Sequence, residues 1–137
     1  MVYTKFQELM MVLIGLFCFI LAGIFEGIMD TLQFHFSSSS FFHFKNGLFW
    51  NPEISWKNKY KNGDPMDGPK FPFSTNLLVG LTDAWHLFKL LRTFFIFSGV
   101  FFIFIPCQTT MICLMYVFIS RILYGAAFSL SYDYLFK

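Results

Sequence analysis

The chain has 137 residues, enough for one domain. It is 56% hydrophobic and 23% aromatic. Only 13% is charged, about half the share usual in a soluble domain, so the composition suits lipid better than water. The net charge of +2 is small. No cluster of Lys and Arg interleaved with aromatics forms a phosphate-binding face, which argues against nucleic acid as a partner.

The first element follows a short amphipathic start. Leu9 to Phe25 carries no charge and is rich in Leu, Ile, Phe and Met. Extended to Ile28 it gives about 30 Å of helix, enough to cross a bilayer. The apolar run is long and Ala22-Gly23 is a weak cleavage site, so a retained span is expected, not a cleaved signal. We place this helix at about 8–33. Its far end carries Glu26 and Asp30, four apart on one helical face, then Gln33 and His35. Like charges at that spacing repel mildly, and a proton or a cation between them removes the conflict.

Residues 36–73 read as one long structured interfacial loop. Ser37 to Ser40 is a low-complexity break. Phe41-Phe42-His43-Phe44 and Leu48-Phe49-Trp50 suggest an aromatic border at headgroup level, with His43 interfacial. Pro52, Pro65, Pro69 and Pro72 with Gly63 and Gly68 argue against a long helix or central strand. Trp56-Lys57-Asn58-Lys59-Tyr60-Lys61 alternates aromatic and basic residues, fitting an anionic membrane surface or a solvated loop equally.

A second helix is expected at about 75–105, capped by Thr75 and ended before Pro106. Its first half carries Asp83, His86, Lys89 and Arg92, with Trp85 as an interfacial anchor. Its second half is nearly all Phe, Ile and Val. A third helix, at about 109–131, is interrupted by Arg121. Tyr124-Gly125-Ala126-Ala127 offers it small residues for close helix approach. Cys18, Cys107 and Cys113 match no zinc or redox spacing. The odd count argues against a disulfide framework, and Cys18 and Cys113 are expected as buried, inert thiols.

At 1.5 Å per residue the ionisable groups of all three helices fall at similar heights. Counted from the face near Leu9 and Pro106, Glu26 lies at about 25 Å, Asp30 at about 32 Å and Arg92 at about 21 Å. Lys89 lies at about 25 Å, His86 at about 30 Å, Asp83 at about 35 Å and Arg121 at about 20 Å. These heights match Arg92 or Arg121 with Glu26, and His86 and Asp83 with Asp30. Ionisable residues in an apolar span are costly and usually have a partner or a task.

Three readings of this layer stay open. Glu26, Asp30, His35, Asp83 and His86 offer carboxylate and imidazole ligands for Zn, Fe or Mn, as metal sites between facing helices do. Metal-assisted hydrolysis would then use a metal-activated water with Asp30 as base, and the Lys-rich loop would attract an acidic substrate. Alternatively Lys89, Arg92 and Arg121 form an ion-pair layer with the acids that sets helix register, with Arg121 on Glu26 and Arg92 or Lys89 near Asp30. A proton or ion path is the third reading. No Gly-x-Ser-x-Gly, P-loop or dinucleotide fingerprint is present.

The segments Glu26-Gly-Ile-Met-Asp30-Thr-Leu-Gln-Phe-His35, Ser55-Trp-Lys-Asn-Lys-Tyr-Lys61 and Leu81-Thr-Asp-Ala-Trp-His-Leu-Phe-Lys89 resemble a family of small uncharacterised integral membrane proteins of Bacteroidota-type bacteria and their phages. The resemblance covers roughly residues 23 to 92 and implies a membrane location, with no activity to transfer. The sequence thus predicts an all-α integral membrane protein with three transmembrane helices. Lys45, Lys57, Lys59, Lys61, Lys70 and Lys137 sit on the loop face against Lys5 on the other. The positive-inside rule then places the loop and C-terminus in the cytoplasm and the N-terminus outside, in a bacterial inner membrane. Lipid is the expected partner, with protein partners or a homo-oligomer through the Phe-rich helices. A noncatalytic structural or accessory subunit, including a virion membrane component, is the competing function.

Overall fold

A computed structural model of the chain describes residues 4–107 and 109–136. The described residues form helices and turns with no strand; an isolated bridge joins Tyr60 and Pro69. Helix α1 runs Lys5–His35, the short α2 Gly47–Trp50, α3 Ala84–Phe104 and α4 Thr110–Leu130, which continues as a π-helical turn, Ser131–Leu135. Three helices are long and apolar enough to cross a membrane: α1, α3, and α4 with its extension.

Each long helix starts where a side chain can satisfy its free amides. Thr4 accepts from the Gln7 amide, and the Gln7 side chain accepts from the Thr4 amide, a reciprocal cap. Asp83 caps α3 and Thr109 caps α4. The expected start of the second helix at Thr75 is therefore wrong by nine residues. Residues 75–83 are turns, because Asp83 adopts extended backbone and offers its carboxylate to the His86 amide at 2.8 Å. The loop holds that segment in place. Asn58 donates from Nδ2 to the Thr82 carbonyl at 2.6 Å, and Ser74 donates to the Lys59 carbonyl at 2.7 Å.

Helix α1 is the axis of the bundle. Helices α3 and α4 both pack along it and scarcely touch each other. Its buried face includes Val12, Cys18, Ala22, Ile28 and Leu32. The outward faces are apolar: Leu9, Leu13 and Phe17 on α1, Phe94, Phe97 and Phe101 on α3, and Met111, Met115 and Phe118 on α4 are all exposed. So much exposed apolar area would aggregate in water and suits a hydrocarbon surround. Hydroxyls inside the bundle donate to their own helix, as Thr31 does to the Gly27 carbonyl at 2.8 Å.

Part of the loop's aromatic run folds inward, while Phe42, His43, Phe44 and Leu48 stay exposed. Phe41 is 5% exposed. It stacks on Trp50 at 5.3 Å and on Phe136 at 5.2 Å, and Trp50 reaches Phe88 of α3 at 6.2 Å. The Ser40 amide donates to the Phe136 carbonyl, which ties the C-terminal turn to the loop. These rings cover Ile28, Leu32 and Ala84 at the loop end of the bundle.

The cysteines also depart from expectation. Cys107 and Cys113 form a disulfide across the α3–α4 turn, with Cα atoms 5.7 Å apart, while Cys18 is buried and free. An odd count left room for one bridge, since a six-residue separation brings the two ends of a helical hairpin together. Thiol counting by mass under denaturing conditions should therefore find one reactive cysteine before reduction and three after it.

Candidate functional site

The loop end of the bundle collects the polar groups, but it sorts them into separate pairs. Glu26 of α1 accepts from Arg92 Nη1 of α3 at 2.7 Å. Both side chains are about three-quarters shielded. His35 Nε2 lies 2.7 Å from the Tyr132 hydroxyl, a partner for which the sequence carried no signal. Lys89 places its ammonium 4.9 Å from the Trp85 ring centroid, and Arg121 lies over Tyr124 at 5.8 Å. Asp30 is half-buried and has no ion pair or hydrogen bond among the described residues.

The expected matching of heights is thus met at one point and missed at others. Arg92 takes Glu26. Arg121 does not, and neither Lys89 nor Arg92 is ion-paired with Asp30. Nor do Asp83 and His86 meet Asp30. Glu26, Asp30, His35, Asp83 and His86 do not gather: among the described residues no three His, Cys, Asp or Glu lie close enough to hold a metal ion. The reason is azimuthal. Residues at one height point in different directions around their helices, and height alone does not bring them together.

The pair with chemical potential is Asp83 with His86. Asp83 is 3% exposed, and His86 Nδ1 lies 2.9 and 2.8 Å from its two carboxylate oxygens. An ionised Asp83 accepts the Nδ1 proton, fixing the tautomer and leaving the lone pair on Nε2. Nε2 has no hydrogen-bond partner among the described residues, and 37% of the His86 side chain is exposed. The ring borders a cavity of about 310 Å³ shared with Gln33, Ser55, Trp56, Lys59, Asp83 and Trp85. The cavity lies where the end of α1, the loop and the start of α3 meet. Gln33, Ser55 and Lys59 were not expected there. Lys59 belongs to the basic stretch, but no local pattern marks Gln33 or Ser55, because their approach depends on how the loop folds back onto α3.

The sequence matches no family model, no curated protein and no solved structure. The site is accordingly argued on its own geometry.

Proposed function

We propose that the protein spans a bilayer with its three apolar helices and works as a hydrolase through the Asp83–His86 pair at the loop end. The observation that supports this is the buried carboxylate on Nδ1 of a partly exposed imidazole, which makes Nε2 a general base for a water in the cavity. Lys59 supplies positive charge there, so an anionic group presented at the membrane surface is the substrate class that fits. A Zn, Fe or Mn ion would find His86 Nε2 beside Gln33 and Ser55 oxygens, a poorer donor set than the five residues expected from sequence, and no step is assigned to it.

The orientation proposed from the lysines has independent support. The Lys-rich loop lies at one end of the bundle and the disulfide at the other. Disulfides persist outside the cytoplasm, which supports the same reading, with the loop inside and the α3–α4 turn outside. A bacterial inner membrane satisfies both, and the resemblance noted above points to the same kind of host.

The test uses protein reconstituted in nanodiscs of defined phospholipids, with lipid products followed by mass spectrometry. Wild type should release product, and His86→Gln should lower the rate by about 10²-fold or more, the usual weight of a general base. Asp83→Asn should also slow it while keeping the cap, since asparagine caps a helix as well as aspartate does. No turnover by wild type on any phospholipid class would sink the enzymatic reading. It would favour the second one, a noncatalytic subunit whose polar layer sets helix register. That reading has its own observation in the Glu26–Arg92 bond, which ties α1 to α3.

A further inference from the structure

Helices α3 and α4 diverge from each other along α1 and leave a slot between them. The slot has Phe19 of α1 as its floor, Val100 and Ile103 of α3 on one wall, and Val117 of α4 on the other. Arg121 and Tyr124 lie toward its loop end. Its volume is about 300 Å³. It extends from Ile96 to Phe104 on α3, about 12 Å at the helical rise.

Arg121 gives the slot its chemistry. It lies about 16 Å into α4, counted from Thr110, and has no carboxylate partner among the described residues. Its guanidinium sits over the Tyr124 ring, and one of its Nη atoms lies 3.1 Å from where a Cβ on Gly125 would be. The side chain therefore runs about one turn toward the loop end. A lone guanidinium on a hydrocarbon-facing helix requires an anion or a route to the headgroups. Its planar fork suits the paired oxygens of a phosphate.

We propose that this slot is a binding site for one anionic phospholipid of the loop-side leaflet, with an acyl chain between α3 and α4 and the phosphate on Arg121. The proposal rests on the membrane-spanning reading. Apolar walls and an uncompensated cation at the loop end of the slot are together the complement of such a lipid.

Native mass spectrometry of the protein, released from micelles supplied with phosphatidylglycerol or phosphatidylcholine, tests the site. Wild type should retain one phosphatidylglycerol about tenfold more than phosphatidylcholine. Arg121→Gln should remove that preference, Arg121→Lys should keep part of it, and Val117→Trp should lower retention of both lipids by filling the slot. Equal retention of the two lipids by wild type would overturn the proposal, as would an unchanged preference in Arg121→Gln. Retention of a second polypeptide lost with Arg121→Gln would overturn it in favour of a partner helix. Liposome flotation separates this failure from failure of the membrane reading. Protein that floats with liposomes without lipid preference refutes the lipid site alone, whereas protein soluble without detergent refutes both.

Discussion

Replacing Gly27 with leucine is expected to separate α4 from α1 and to destabilise the bundle by about 3 kcal/mol, the upper end for an overpacked contact. Helix α1 runs beside α4 with Gly23 against Tyr124 and Ala127, and Gly27 against Ser131 and Tyr132. A Cβ at Gly27 would fall on the Ser131 hydroxyl, 2.9 Å from the Ser131 Cβ and 3.0 Å from the Tyr132 amide nitrogen. Ser131 is fully buried and donates its hydroxyl to the Phe128 carbonyl at 2.9 Å, so it has little room to retreat. The helices must part. The two glycines are four residues apart, the small-residue spacing that lets helix backbones approach where no hydrophobic force drives helices together. Gly125→Ala is the control. Its Cβ would meet only the end of the Arg121 side chain, so no destabilisation is expected, and alanine's helix propensity should add up to about 1 kcal/mol of stability. Unfolding in mixed micelles, followed by far-UV circular dichroism, gives both values. A Gly27→Leu protein as stable as wild type would show that α4 does not dock there.

Breaking the Glu26–Arg92 bond from one side should cost about 2 kcal/mol, while removing both charges should cost much less. Arg92→Gln leaves the Glu26 carboxylate without a cation inside an apolar bundle, and Glu26→Gln strands the guanidinium. Glu26→Gln with Arg92→Gln leaves two neutral amides and no uncompensated charge. The side chains are 29% and 26% exposed, so the expected size lies between that of a surface pair and that of a fully buried one. Arg92 Nε is buried without a hydrogen-bond partner among the described residues, so the pair lacks the full fork geometry, another reason for a moderate value. A double-mutant cycle in the same micelles measures the coupling. Additive single-mutant effects would mean that the two residues do not act as a pair.

Both experiments address how three apolar helices find one arrangement. Their existence was legible in the chain. Leu9 to Phe25 has no charge, the second half of α3 is nearly all aromatic and aliphatic, and Pro106 separates α3 from α4. The heights of the ionisable groups were legible as well, because rise per residue is fixed. The start of α3 was not. Thr75 and Asp83 are both competent caps, and the choice fell to Asp83 because Asn58 and Ser74 pin the preceding turns to the loop. The aromatic residues of the loop were visible as a cluster, but the packing of Phe41 on Phe136 and of Trp50 on Phe88 required α3 and the C-terminal turn to meet the loop.

The candidate site shows the same division. Asp83 and His86 stood out as ionisable neighbours in an apolar context, and their separation of three brought them together through the cap at the start of α3. Gln33, Ser55 and Lys59 join them only through the folded loop. Arg92 and Arg121 lie at nearly the same height by sequence, and either was a match for Glu26.

What the sequence determined by itself was the presence of three long apolar helices, the approximate lengths of the first and last, and the level of each charged group, all functions of local pattern and helical rise. What only the tertiary structure decided was direction around each helix. Glycine contacts at Gly23 and Gly27 fix how α4 is rotated against α1. That rotation leaves Arg121 beside α3 and over Tyr124 and leaves Glu26 to Arg92, while the five expected ligands, all on α1 and the start of α3, are kept apart by how those two helices face each other.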